Sequence, residues 1–374
     1  MEIKYAFASA AYELRAVAQQ LIEFLSLISI WNWRIYSQNV DGRSFNRLTF
    51  FGRRKTMDNV MVLLGTEQNP AHNVENQASK PGGRVVVSEF PLKSSIRVPN
   101  YLNQILRIDR SLEALLERMG EDKLTLYKKR RADYRVELVT SDSELTQIDA
   151  TMLRPFANFR YGENAFHLPF KKLKKFARRK GAVTTVFSNE RGAVSCSVGC
   201  AIRRRGKRYW KALRSGYPEG IFSSSKIFSE VNFMTYCLEL EWASQRGYDF
   251  YDVDLSVAHP ENKVLQWKRR LRGELDLAGN YSCFYLRPPD VGVSAFFWDT
   301  PVFGLEHGKV VLHLGLPTGK SDIDFAKRFR EMGFGGLAKV YLHCETTPSE
   351  QAIASLMNLY RHFPVQPILD IKRH

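Results

Sequence analysis

Acid is what this 374-residue chain is short of. It carries 39 Asp and Glu against 55 Lys and Arg, a formal net charge of +16. That balance calls for a polyanionic partner such as RNA, anionic lipid, an acidic carrier protein or a phosphorylated substrate. Cysteine is scarce and odd in number, five residues scattered through the chain, which argues against a disulfide framework and for reduced thiols in a cytoplasmic protein. Cys196 and Cys200 lie four apart with no His nearby and no second pair, so no zinc site is expected, and no metal at all. A long hydrophobic run is also missing. The most apolar stretch, Leu21 to Trp33, is short and holds Glu23 and Asn32, far below the roughly 20 apolar residues of a membrane helix. The start, MEIKYAFASAAYELR, has no basic segment followed by an apolar one, so no secretory leader is expected. Low-complexity tracts and clear internal repeats are absent.

Core-building residues are plentiful: 24 Phe, 16 Tyr and 6 Trp in a chain that is 44% hydrophobic. The length favours at least two domains. The cations are clustered in four runs, Lys123 to Arg135, Lys171 to Lys180, Arg203 to Arg214 and Lys263 to Arg272, which contain Asp133 as their one acid. Four such runs favour an anion-binding surface over a uniformly basic one.

Periodicity orders the elements. Tyr12 to Phe24 reads as a helix. Arg47 to Phe51 and Asn59 to Leu64 read as strands joined by a turn at Gly52–Lys55, and Arg84 to Phe90 as another strand. Ser111 to Met119 is a helix capped by Ser111 or Asp109, continuing into a basic helix at Leu124 to Tyr134. Arg135 to Val139 is a strand, Ser141 or Asp142 caps a helix to Phe156, and Phe170 to Arg179 is a basic helix. Strands follow at Ala182 to Ser188, Ala193 to Ile202 and Arg208 to Ser215, with hairpin turns between them. A long helix starts at Ser223 to Ser225 and ends near Gln245, with Gly247 as its natural stop; strands follow at Asp249 to Leu255 and Asn280 to Leu286. Beyond Arg287-Pro288-Pro289-Asp290 comes a βαβαβ-like tail. This order implies an α+β fold with a mixed sheet flanked by helices, not a doubly wound parallel sheet.

The most informative unit is Ile221 to Gly273: a long helix, Arg246-Gly247, the acidic strand Asp249-Phe250-Tyr251-Asp252-Val253-Asp254, then a basic aromatic turn at Trp267, Lys268 and Gly273. With the Ser111–Leu115 helix, Lys128–Arg131, and Arg160-Tyr161-Gly162 before it, the order over Ser111 to Leu286 resembles the GNAT acyltransferase superfamily. Within it the resemblance is to Fem-type peptidoglycan-bridge aminoacyltransferases and related acetyltransferases of polysaccharide synthesis. The resemblance implies an acyltransferase unit over 136–287, preceded in tandem by a degenerate GNAT-like unit over 1–135; the tail beyond the Pro-Pro break makes a small α/β extension over 291–374. The Arg/Gln-x-x-Gly-x-Gly/Ala loop that holds coenzyme A is missing; Arg214-Ser215-Gly216-Tyr217-Pro218-Glu219-Gly220 has the wrong spacing. The Fem-type group also departs from that loop and takes an aminoacyl group from a charged tRNA.

Acyl transfer needs a group that takes the acceptor's proton, donors for the oxyanion, and a hold on the donor. Strand alternation puts Asp252 and Asp254 on one face with Phe250 and sets Asp249 opposite with Tyr251. Two carboxylates there suit a base or an ammonium-holding site; a solvated strand end or a cap for the next helix is the plain alternative. Lys268 is placed at an oxyanion or a phosphate, or is one more surface base. Arg160, Tyr217, Ser225, Trp267 and His259 are the candidate substrate-binding residues; a loop His or a serine cap needs no such role. Tyr209 and Trp210 between cations suit stacking on a base, or a core strand. Candidate RNA-binding cations are Lys128, Lys129, Arg130, Arg131, Lys174, Lys175, Arg203, Arg204, Arg205, Arg269 and Arg270. Gly315 to Ser321 is one residue short of a P-loop and reads as a turn plus helix cap.

The expectation is a cytoplasmic transferase moving an aminoacyl group from aminoacyl-tRNA to an amine of a small-molecule, peptide or cell-envelope acceptor, with no other cofactor. Acetyl-CoA or an acyl carrier protein as donor is the alternative. A non-catalytic RNA-binding protein on an acyltransferase scaffold is the reading from another class.

Overall fold

The computed structural model describes residues 17–26, 29, 33–40, 43–65, 83–108, 111–162, 169–178 and 181–374. Its elements run α1 (17–26), β1 (Trp33–Asn39), β2 (Phe45–Arg53), α2 (Arg54–Leu64), β3 (Gly83–Ser88), β4 (Ile96–Pro99) and β5 (Tyr101–Arg107). Next come α3 (Leu112–Met119), α4 (Glu121–Arg130), β6 (Arg135–Leu138), α5 (Asp142–Ile148), α6 (Arg154–Tyr161), α7 (Phe170–Ala177), β7 (Ala182–Asn189), β8 (Gly192–Arg204) and β9 (Lys207–Gly216). Then follow α8 (Glu219–Phe222), α9 (Ser225–Gln245), β10 (Phe250–Val257), α10 (Lys263–Arg270), β11 (Glu274–Asp276), β12 (Cys283–Arg287), α11 (Val293–Asp299), β13 (Val302–Glu306), β14 (Lys309–Leu316), α12 (Asp322–Arg328), β15 (Leu337–Cys344), α13 (Glu350–Asn358) and β16 (Ile368–Arg373).

Contacts gather these elements into two units, one from 105–254 and one from the described parts of 15–104 with 255–374. The second unit is discontinuous in sequence, whereas the sequence reading divided the chain at 135 and 287. The class is the expected one, mixed α and β with helices on several mixed sheets.

In the first unit the strands lie in the order β5-β10-β9-β8-β7-β6. β6 to β9 pair antiparallel, and β9 and β10 pair parallel. The β8–β9 hairpin turns at Arg205 and Gly206, both at positive φ (48° and 77°), which matches strand twist in a two-residue hairpin. α9 covers one face with a core of Val231, Met234, Cys237 and Leu238 against Phe187, Val194 and Tyr217. α5 and α7 cover the opposite face at Cys196 and Val198. The serine caps read from sequence are in place: Ser111 Oγ accepts from Ala114 N, and Ser141 with Glu144 forms a capping box.

The second unit holds a five-stranded sheet, β1-β2-β3-β12-β4, and a four-stranded one, β13-β14-β15-β16. The tail strands read from sequence are there, β14, β15 and β16 in parallel. Two segments differ from the reading. Residues 54–64 form a helix, not a turn and a strand. Its buried residues Thr56, Val60, Leu63 and Leu64 recur at helical spacing, a period the short apolar run hides. Trp267 and Lys268 lie on helix α10, not in a turn; Asn262 caps it, accepting from Val264 N and Leu265 N. The helix read from Tyr12 starts, among the described residues, at 17.

Candidate functional site

Parallel pairing of β9 and β10 sets Tyr209 beside Phe250, Trp210 beside Tyr251, and Lys211 beside Asp252. Alternation turns Trp210 and Tyr251 toward α9 and the other four residues to the opposite face. There Tyr209 stacks on Phe250 with ring centroids 4.7 Å apart. The guanidinium of Arg204 lies 4.9 Å above the Tyr209 ring, and that of Arg107 lies 5.5 Å above Phe250.

Asp252 is fully buried. Its Oδ2 accepts from Arg204 Nη2 at 2.5 Å. Its Oδ1 accepts the backbone N–H of Asp254 at 2.9 Å and stands 3.6 Å from Lys211 Nζ. Lys211 Nζ also donates to Asp254 Oδ1 at 2.7 Å. The side chains of Arg204 and Lys211 are only 13% and 12% exposed, while that of Asp254 is 41% exposed. Desolvating these groups costs several kcal/mol per ion, an amount that close, multiple pairing offsets. Asp254 itself sits at φ 65°, left-handed backbone that is uncommon for a non-glycine residue and costs on the order of 1–3 kcal/mol.

A second polar network lies on the α9 face. The Glu239 carboxylate accepts from Tyr251 Oη at 2.5 Å and from Ser197 Oγ. Beside it Ser195 Oγ and Thr235 Oγ1 are 2.6 Å apart. Burial pushes the Glu239 carboxyl above its usual range, and the bonds from Ser197 and Tyr251 only partly counter this.

The structure therefore brings Asp252, Asp254 and Arg204 together, with Arg204 serving a buried carboxylate. Lys268 is in the second unit, buried, its Nζ donating to the Leu255 carbonyl at 3.2 Å. Tyr217 is a core residue whose hydroxyl donates to Asn232 Oδ1 at 2.7 Å. Ser225 is exposed at the first turn of α9, and Arg160 is exposed on α6. Trp267 is half-buried. His259 is held down to about 4 by burial and by the charge of Arg328, and so is neutral at physiological pH.

Of the candidate RNA-binding cations, Arg130 pairs with Glu230 and Asp133, Arg131 with Glu241, and Lys174 with Asp142. Arg269 is half-buried and donates from Nε to Gln266 Oε1, and Arg203 is half-buried. Lys128, Lys129, Lys175, Arg205 and Arg270 remain on the surface. Lys211 and Glu239 went unread. Lys211 was hidden inside a basic run, and Glu239 inside a helix whose neighbours Leu238 and Leu240 are core residues. The Gly216 of the would-be coenzyme A loop packs instead: a Cβ there would meet Leu153 N at 2.9 Å and Cys196 Sγ at 2.8 Å. Among the described residues no group of three or more His, Cys, Asp or Glu could hold a metal ion.

No family model and no curated protein matches this chain. Solved structures do. L-PGS from Bacillus licheniformis is 13% identical, with 70% of this chain and 82% of that one covered at a TM-score of 0.33. FemX is 9% identical, over 70% of this chain and 91% of its own, at 0.38. An aminoglycoside acetyltransferase from an uncultured soil metagenomic sample is 12% identical, over 38% and 90%, at 0.28.

Proposed function

We propose that this chain is an acyltransferase that moves an aminoacyl group from aminoacyl-tRNA to an acceptor amine. The observation that carries the reading is the buried Arg204–Asp252–Lys211 cluster, which ends in the strained, partly exposed carboxylate of Asp254. Apolar residues of similar volume hold a fold at least as well as a buried ion cluster, and strained backbone persists where it serves a site. In this reading Asp254 holds the acceptor ammonium and takes one proton from it; the free amine attacks the ester carbonyl, the C–O bond to the tRNA ribose breaks as the amide forms, and the ribose oxygen leaves as a hydroxyl with the second proton that the nitrogen sheds. Asp252 acts as a positioning residue that fixes Arg204 and Lys211. The exposed Lys128, Lys129, Lys175 and Arg205, with a net charge of +16, suit RNA phosphate.

The test titrates charged tRNA, uncharged tRNA and acetyl-CoA at low and moderate salt, then follows labelled aminoacyl transfer to amines. Preference for charged tRNA, with turnover lost in Asp254→Asn while the melting temperature holds, supports the reading. Saturable acetyl-CoA binding without tRNA preference would replace the donor. Salt-steep binding to any RNA with no turnover would leave a binding protein.

A further inference from the structure

The second unit carries a surface that the proposed transfer does not use. Helix α1 is inverted. Its half-buried positions are the polar Gln19, Glu23 and Ser26, at i, i+4 and i+7, and its apolar side chains point out. Leu21, Ile22, Phe24 and Leu25 are 52–58% exposed. The helix is held by Arg53, whose Nη1 donates to Glu23 Oε2 at 2.9 Å and to Ser26 Oγ at 3.0 Å. The other side of Arg53 is locked on the buried Glu89. α1 is thus fixed with its apolar side outward.

Arg53 belongs to a sheet face with the same character. Along β1 and β2, Trp33, Ile35 and Ser37 lie across from Arg53, Phe51 and Thr49. The opposite face is the one that buries Leu48, Phe50, Val85 and Val87. On the outer face Trp33 stacks on Phe90 at 4.4 Å and meets Phe51 at 4.8 Å; Ile35 is 78% exposed. A surface this apolar is an interaction site as a rule. Cations adjoin it. Arg47 and Arg84, exposed on the same outer face, bond Ser37 Oγ and Thr49 Oγ1. Lys55, beside Glu23, is 68% exposed in its side chain. Among the described residues from 17 to 100, Asp58 is the one exposed acid.

We infer that this face docks on an anionic lipid surface, α1 lying in the interface with Leu21, Ile22, Phe24 and Leu25 among the acyl chains and Arg47, Arg84 and Lys55 at the headgroups. The charge selects the occupant: a second copy of this chain would set these cations against their own like, whereas anionic headgroups neutralise them. Among the described residues no helix is long and apolar enough to cross a membrane, so the attachment is peripheral and reversible.

Sedimentation of the full chain with sucrose-loaded vesicles tests this. Binding is expected to vesicles that contain phosphatidylglycerol and to be at least about ten-fold weaker on phosphatidylcholine alone. The triple variant Leu21→Gln/Phe24→Gln/Ile35→Thr alters exposed side chains, and is expected to keep its melting temperature and lose binding on both. Arg47→Gln/Arg84→Gln should weaken binding to the anionic vesicles by roughly five-fold per charge and leave the phosphatidylcholine value unchanged. Failure of the wild type to sediment with either vesicle, or unchanged binding by the triple variant, would overturn the inference. So would concentration-dependent dimerisation that the triple variant abolishes without vesicle binding, which would give the face to a second copy.

Discussion

Lys211 divides its ammonium between Asp252 and Asp254, 3.6 Å from one carboxylate and 2.7 Å from the other. With Arg204 closing on the far oxygen of Asp252, two cations and two anions form one electrostatic unit. Asp252→Asn leaves Arg204 and Lys211 short of their buried partner and is expected to cost about 3–5 kcal/mol. Lys211→Met alone should also destabilise. The double variant should cost less than the sum, with a coupling of about 0.5–3 kcal/mol. Urea midpoints of the four proteins measure it, and strict additivity would show that the pair does not interact.

The extent to which the sequence disclosed this site follows from its physics. Asp252 and Asp254 were legible because acids stand out on an otherwise apolar strand. Arg204 was legible as a cation but not as their partner. The contact that joins Arg204 to Asp252 across 48 positions is a tertiary fact, and so is the adjacency of Lys211 through strand pairing. Long periodic elements such as α9, and turns with glycine such as Arg205-Gly206, were read near their true bounds. The short run at 59–64 was not, because four to six apolar residues carry no decisive period. Strand β1 escaped because Ile35 lies on the solvent side of an edge strand, with no buried alternation to betray it.

Glu239 makes stability depend on pH in the direction opposite to most carboxylates. Burial raises its folded value above the ordinary 4.5, so the folded state holds the proton more tightly than the unfolded one. Its stabilising contribution is complete below pH 4.5 and is lost as the pH rises through the folded value. Glu239→Gln removes that slope. Urea midpoints between about pH 4 and about pH 8 should show the variant gaining on the wild type as the pH rises; parallel curves would refute the assignment.

Gly315 is spent on packing. A Cβ there would stand 1.9 Å from Ser294 O and 2.3 Å from Trp298 N, both backbone atoms of α11. Ser321, at the other end of the Gly315–Ser321 segment, caps α12 in a capping box with Asp324, in keeping with a turn plus cap. Gly315→Ala is expected to cost about 1–3 kcal/mol or more through overpacking. A melting temperature equal to the wild type's would show that α11 can lift off β14 at no cost.

The Arg53–Glu89 pair supplies a further stability test. Glu89 accepts from Arg53 N, Nε and Nη2 and from Thr56 Oγ1, and its side chain is wholly buried. Arg53→Met leaves that carboxylate stranded and should cost about 3–5 kcal/mol. It should also release α1, which limited proteolysis after residues 17–26 would report as faster cleavage. Unchanged cleavage with a lowered melting temperature would mean that α1 is held by something other than Arg53.

The place of β12 sets a timetable for synthesis. In the five-stranded sheet β3 and β4 do not touch; β12 lies between them and pairs with both. Arg97 of β4 therefore waits for Cys283, 186 residues downstream. A ribosome covers that distance in roughly 10–40 s at 5–20 residues per second. All of 105–254 emerges in the interval and has time to close on itself first. The early strands meanwhile stand as open edges on the nascent chain, so the second unit is the one whose yield depends on a holding chaperone.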